Sequence, residues 1–175
     1  TPEVYGSVSG VIDETAHYNP TTPYAISHAA IDMHLNAYFK QHGFPVITTR
    51  FANFYGPCQQ LYRIIPKAFI QFEKNKKIPI DGGGKSKKIY THIDDVSEGE
   101  ILIMKKGKFG EVYHLSTNRL ISIKSLVKKL CEISEKKFSN HTTIVKERLG
   151  QDRCYNVSSK KINKELKWKA KINLD

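Results

Sequence analysis

Apolar and polar positions along this chain follow first a helical and then an alternating helix-and-strand rhythm, and the longest regular stretch lies between Pro20 and Gly43. Ile26, Ala30, Met33 and Ala37 recur at helical spacing, and Leu35, Tyr38 and Phe39 widen the apolar surface, so the pattern predicts a helix that is mostly buried. Its ends are marked as well. Thr22 is placed to cap it, Pro23 suits the first helical position, and Gly43 suits the left-handed residue just past the end. Tyr24 and His28, four residues apart, share one face of its first turns, which is equally the pattern of a core tyrosine beside a surface histidine.

Upstream, residues 1 to 19 are rich in glycine, serine, aspartate and asparagine with little periodicity and read as a long loop. Downstream, helices and strands alternate. Phe44 to Thr49 is a short β-branched strand, and Arg50 to Pro57 a loop that places Asn53 near the strand's carboxyl end. A helix is expected from Lys67 to Lys74, a strand over Ile78 to Ile80, a flexible turn at Gly82 to Gly84, and an extended segment from Lys88 to Ile93. Asp94 or Asp95 then caps a helix to about Met104, Glu111 to Leu115 forms a strand, and Ser122 caps a helix from Ile123 to about Lys136. Thr142 to Val145 is a further strand, and Ser158 or Ser159 caps a last helix ending near Leu166. The alternation predicts an α/β fold, a parallel sheet continued by a smaller mixed region.

Composition narrows this little. The 175 residues are 39% hydrophobic, as in an ordinary globular domain, and no apolar run is long enough to span a bilayer. With no signal-peptide pattern at the start, the cytoplasm is the expected compartment. Cys58, Cys131 and Cys154 are too scattered for a disulfide framework or a zinc site, so free thiols and no metal are expected. The net charge of +11 raises the question of nucleic acid. The lysines, however, are spread in small clusters that alternate with apolar residues, as in Leu126 to Leu130, the pattern of solvated helix faces. A basic surface serves a phosphorylated small molecule as well as a nucleic-acid backbone. The glycine turn is no phosphate loop, because the Gly-x-x-x-x-Gly-Lys-Ser/Thr spacing is absent.

Four segments, Thr1 to Gly6 (TPEVYG), Pro23 to His28 (PYAISH), Arg50 to Pro57 (RFANFYGP) and Tyr90 to Val96 (YTHIDDV), together resemble successive landmarks of the extended short-chain dehydrogenase/reductase family. Within that NAD-dependent epimerase/dehydratase group the chain is most similar to the nucleotide-sugar 4,6-dehydratases, of which those acting on dTDP-glucose are one kind. The resemblance implies the C-terminal half of a Rossmann-type parallel-sheet domain, interleaved with a substrate-binding region at roughly residues 58–93 and 116–175. It implies a bound NAD, with NADP not excluded, and a nucleotide-sugar substrate. The implied reaction oxidises the sugar at C4, eliminates water across C5 and C6, and returns hydride to C6. A homodimer formed through a helical interface is implied too.

The same resemblance assigns residues. Tyr24 matches the tyrosine that takes the C4 hydroxyl proton, Glu3 the base that removes the C5 proton, and Thr1 the small polar residue beside the reacting sugar. His28 and Phe51 fall, with Tyr24, on the cofactor side. Asn53 matches an asparagine on the sugar or its pyrophosphate, and Lys88 stands where a phosphate-binding arginine is usual. Arg63 lies near the same ligand, and Arg148, Asp152 and Arg153 belong to a late Arg-Pro-Gly-x-Asp-Arg-like motif on the nucleotide side.

This chain departs from the pattern in three places. His28 replaces a lysine whose permanent charge, ~5 Å away at an effective dielectric of about 20, contributes roughly 3 kcal/mol to a phenolate. An imidazole, mostly neutral at pH 7, supplies a hydrogen bond without most of that charge. Pro2 replaces the aspartate that protonates the departing C6 hydroxyl. The glycine-rich dinucleotide turn lies outside these residues, so the expectation is the second half of a longer protein. The alternatives within reach are an epimerase or reductase working through a 4-keto sugar, and a non-catalytic nucleotide-sugar-binding homologue. A nucleic-acid-binding domain, whose affinity would fall steeply with salt, has no recognition motif to support it.

Overall fold

The structure, a computed structural model, describes residues 1–147, 150 and 154–174. A 3-10 turn at Pro2–Tyr5 opens the chain, and helix α1 follows at Pro23–His42. Its ends form as the sequence predicts: the Thr22 hydroxyl accepts from the Ala25 amide at 3.1 Å, and Gly43 adopts φ 65° while its N–H bonds back to Phe39. Burial does not follow the prediction. Only Ala25 and Ala29 are fully buried, whereas Ile26, Ala30, Met33 and Ala37 all lie on the exposed side. The apolar stripe points outward because the polar face, with His28 and Asp32, is the one turned toward the chain's own first loop and strands.

Strand β1 is Thr48–Phe51 and pairs in parallel with β5, Val112–Leu115, with Thr48 opposite Val112. It starts later than the Phe44 predicted, since Pro45 has no ladder N–H and Val46 is held from the side by the Gly110 amide. The segment expected as a loop contains a strand, β2 at Asn53–Tyr55, parallel to β4 at Lys87–His92. Pairing with β4 and burial of the aromatic rings outweigh the turn-forming glycine and proline that follow. Strand β6, Leu120–Ser122, adds antiparallel to β4, and β3, Ile78–Asp81, pairs in parallel with β7, Thr142–Val145.

Around these strands lie α2 (Ile64–Glu73), α3 (Ile93–Lys106), α4 (Ile123–Ile133), the single turn α5 (Phe138–His141) and α6 (Lys160–Leu166). Ser122 caps α4 as predicted, its hydroxyl accepting from the Ser125 amide. The cap of α3 is His92, not Asp94 or Asp95. Asp95 is buried and turns the other way, its carboxylate accepting from the Lys171 and Ile172 amides while its carbonyl accepts from the Trp168 indole. An acid read from the sequence as a helix cap is a clasp for the tail.

Three apolar clusters hold the fold. Phe72, Ile78, Ile80, Leu126, Val127 and Leu130 join α2, β3 and α4. Val96, Ile103, Tyr113, Leu115, Ile162 and Trp168 join α3, β5 and α6. Val4, Tyr5, Ala29 and Val157 pin the first loop to α1.

Candidate functional site

The first loop is the element that assembles a site. Thr1 caps the 3-10 turn, its hydroxyl accepting from the Glu3 amide at 3.3 Å, and Pro2 is buried at the first position of that turn. Gly6 follows with φ 64°, and a β-carbon there would meet the Asn19 carbonyl at 2.3 Å. Only glycine permits that approach. The Asn19 amide in turn bonds to the Val4 carbonyl at 2.9 Å, so residues 1 to 6 fold back on the segment that enters α1, with Val4 and Tyr5 against Ala29. The turn Pro2–Tyr5, which includes Glu3, is thereby packed against the helix that carries Tyr24 and His28.

Tyr24 is 54% exposed, so it is not the core tyrosine that spacing alone allowed. Its ring stands 4.4 Å from that of His28, tilted by 56°. Glu3 is half-buried. The Glu3 carboxylate and the Tyr24 phenol thus lie on segments packed together, each partly open to solvent, and both are groups capable of proton transfer.

Beneath this corner is a buried polar network that local spacing does not reveal. Arg50, on β1, is 1% exposed. Its Nη2 donates to Asp32 Oδ2 at 2.6 Å, with Nε at 3.2 Å, its Nη1 donates to Tyr5 Oη at 2.6 Å, and Nη2 also reaches Tyr18 Oη. Both phenol rings flank the guanidinium, each centroid 5.1 Å from its carbon. Because Tyr5 Oη accepts from Arg50, its own proton goes to His114 Nε2, 2.8 Å away, which fixes the imidazole proton on Nδ1. Burial, aided by the Arg50 charge, lowers the His114 pKa to about 3, and burial raises the Tyr5 phenol to about 12. Both are neutral at physiological pH. The Glu14 carboxylate accepts from the His114 amide at 2.9 Å and stands 3.9 Å from its Nδ1.

The remaining sequence-predicted residues lie on the other strands. Asn53 is on β2, opposite Tyr90 of β4, and its Nδ2 donates to the Ile89 carbonyl at 3.4 Å. Lys88 is buried on β4 with its Nζ 3.8 Å above the Tyr155 ring. Tyr155 belongs to a segment that runs beside the first loop: the Val8 amide bonds to the Cys154 carbonyl, the Ile12 amide to Asn156, and the Ser158 amide back to Ile12. Lys87 bridges the same segment at Cys154. These contacts join the Lys88 strand, through residues 154–158, to the loop that bears Glu3. Arg63 is exposed at the start of α2, over the Tyr62 ring, and its charge opposes the burial that raises the Tyr90 phenol above its usual range. Phe51 stands apart from both groups: it is half-buried, edge-on to Phe54, and packs on the β5 core. Arg148, Asp152 and Arg153 lie outside the described residues.

Known proteins resemble this chain along nearly its whole length. The family model for GDP-mannose 4,6 dehydratase matches residues 1–175. The human dTDP-D-glucose 4,6-dehydratase is 36% identical over 178 residues, a match covering 98% of this chain and 51% of that protein. The dTDP-glucose 4,6-dehydratase of Haemophilus influenzae is 30% identical over 188 residues, covering 100% and 56%. Among solved structures, the dTDP-glucose 4,6-dehydratase DesIV of Streptomyces venezuelae, with NAD and TYD bound, superposes with a TM-score of 0.95 at 30% identity, covering 99% of this chain and 54% of that one. The UDP-glucuronic acid 4-epimerase of Bacillus cereus, in complex with UDP-glucuronic acid and NAD, gives 0.92 at 25% identity, covering 98% and 55%. The chain spans about half the length of the relatives it matches.

Proposed function

The chain belongs to the GDP-mannose 4,6-dehydratase family, and on that premise we propose that it forms the C-terminal, substrate-side part of an NAD-dependent nucleotide-hexose 4,6-dehydratase. Residues roughly 58–93 and 116–175 are the nucleotide-sugar region in this reading, and the cluster of Phe72, Ile78, Leu126 and Leu130 that joins those segments supports it. The observation that carries the proposal is the corner itself: the capped turn that includes Glu3 packs on the helix whose first turn exposes Tyr24.

The residues present fit the nicotinamide end of a dinucleotide. Tyr24 and His28 offer two polar groups one turn apart on an accessible face, whereas no Gly-x-x-Gly-x-x-Gly turn for a pyrophosphate occurs in these 175 residues. Bound NAD would supply an acceptor and later a donor of hydride. Tyr24 takes the proton of the sugar's C4 hydroxyl as C4 gives up its hydride and becomes a ketone. Glu3 then removes the C5 proton that the ketone has acidified and delivers it to the departing C6 hydroxyl, which leaves as water. Thr1 holds the turn that orients Glu3. Asn53 and Lys88 receive the sugar and its phosphates, with Arg63, Arg148, Asp152 and Arg153 on the nucleotide side. Phe51 supports the cofactor side from the core.

Buried Pro2, where an acid for the C6 hydroxyl is expected, favours a second reading, an epimerase or reductase that works through the same 4-keto sugar without eliminating water. The outward stripe of Ile26, Ala30, Met33 and Ala37 supports a homodimer through α1, for which a monomer in sedimentation of the full-length protein would be contrary evidence. No described helix is long and apolar enough to cross a membrane; a cytoplasmic site of action is part of the proposal.

The test is to incubate the full-length protein with NAD and a panel of nucleotide hexoses in heavy water, following 4-keto product and C5 deuterium by mass spectrometry. Deuterium with loss of water supports the dehydratase. Inversion or reduction at C4 without loss of water supports the epimerase or reductase, whether or not C5 exchanges, and neither conversion nor exchange with any sugar that binds leaves a non-catalytic homologue.

A further inference from the structure

Outside the proposed site, the buried guanidinium of Arg50 links Tyr5 and Tyr18 of the first loop to Asp32 of α1. It is tied to both segments that carry the proposed proton-transfer groups, through Tyr5 on one and Asp32 on the other. Tyr5 lies two residues beyond Glu3, and Asp32 lies eight residues beyond Tyr24. On a helix, positions i, i+4 and i+8 share one face, so Tyr24, His28 and Asp32 form a single line along α1. Fixing Asp32 fixes the rotation of that helix about its own axis, and hence the direction of the Tyr24 phenol. Fixing Tyr5 fixes the end of the turn that aims Glu3.

We infer that Arg50 is the positioning residue of this site, setting the Glu3 carboxylate and the Tyr24 phenol relative to one another by holding Tyr5 and Asp32 at once. The inference rests on the functional reading above. Three features of the network suit the role. A guanidinium has a rigid planar fork, so its partners are held in angle as well as distance. The flanking rings of Tyr5 and Tyr18 prevent it from swinging out of plane. His114 secures the far side of Tyr5, so the phenol that Arg50 holds cannot itself turn away.

The experiment compares Arg50→Lys and the milder Tyr18→Phe with the wild type in the full-length enzyme. It measures turnover per folded site, C5 deuterium exchange, and the dissociation constant of the nucleotide sugar. Lysine keeps the charge but offers its donors from a single nitrogen, without the planar fork that meets Tyr5, Tyr18 and Asp32 at fixed angles. The expected result is a fall in turnover and in exchange of about 30- to 100-fold for Arg50→Lys, and roughly 3- to 10-fold for Tyr18→Phe, with binding within about threefold of wild type. A purely structural role would reduce the folded fraction and leave turnover per folded site unchanged, which would overturn the inference. Loss confined to binding would overturn it as well. Should Arg50→Lys not fold, Tyr18→Phe decides between the same outcomes. If the wild type itself neither turns over nor exchanges any nucleotide hexose, the functional reading fails first, and this inference falls with it.

Discussion

Tyr5 and Tyr24 belong to neighbouring segments of one small region, and the fold treats them in opposite ways. Tyr24 stands at the surface, 54% exposed, with the His28 ring beside it. Tyr5 is sealed, accepts from a guanidinium, donates to an imidazole, and has its pKa raised by burial to about 12. A phenol that must exchange a proton with a substrate needs access, and one that must hold a backbone segment still needs neutrality and two fixed partners. Under the proposed function the contrast separates the chemistry from its scaffold, although both are built from the same residue type.

The largest effect that would test this contrast comes from removing each hydroxyl in turn. In the full-length enzyme Tyr24→Phe is expected to lower turnover by roughly 10²- to 10⁴-fold with the melting temperature unchanged, because an exposed hydroxyl contributes little to stability. Tyr5→Phe leaves the Arg50 Nη1 and the His114 Nε2 unpaired, and is expected to cost about 1–3 kcal/mol in denaturant unfolding with a smaller loss of rate. Reversal of the two patterns would break the division of labour.

Acid provides the next test. The His114 pKa falls from 6.5 to about 3 in the fold. The unfolded chain therefore binds a proton that the folded chain refuses between those two values, and stability is lost as pH drops through that window. The loss amounts to ~2 kcal/mol by about pH 5, since each unit of pH is worth about 1.4 kcal/mol over that range. Replacing His114 by glutamine, which can still accept from Tyr5, should flatten this dependence in urea unfolding measured at pH 7 and about pH 5. An unchanged slope would mean that the sealed network does not govern acid sensitivity.

Reading the sequence recovers these two regions unequally. Tyr24 and His28 are four residues apart, Thr22 caps three before Ala25, and Glu3 lies in a short motif, so local spacing and family resemblance find them all. The network under them joins Tyr5 to His114 across 109 positions and Arg50 to Asp32 across 18, and no local period encodes such pairs. Asp32 breaks the apolar run of α1 and Arg50 interrupts an otherwise β-branched strand, which is the signal that could have marked them as a buried pair. The same limit explains the two misplaced features of the fold. Periodicity locates an apolar stripe on α1 without telling which side the rest of the protein lies on, and β2 exists because β4 is there to pair with it.

A smaller effect sharpens the comparison by adding charge to the open corner. His28→Lys places a permanent cation beside Tyr24, and in this half-exposed setting solvent reduces the roughly 3 kcal/mol of an effective dielectric near 20 to about 1.4 kcal/mol, or tenfold. Turnover of the full-length enzyme at pH 7 is expected to rise by up to about that factor. A fall would show that the imidazole does something a lysine cannot.

The smallest effect concerns the join between the two regions. Thr22 accepts from the Ala25 amide and so holds the first turn of α1, which carries Tyr24, while Arg50 grips the same helix two turns later at Asp32. Thr22→Ala is expected to cost ~1 kcal/mol of stability, because it leaves a helix-end N–H without its side-chain acceptor. The turn that frays is the one bearing the phenol, and the Asp32 anchor lies beyond it. Turnover should therefore fall by several-fold at a temperature where the protein is still fully folded, with hydrogen exchange quickening at the Ala25 and Ile26 amides and not at Asp32. If turnover follows only the folded fraction, the first turn is held by its packing and not by its cap, and the corner is stiffer than its exposure implies.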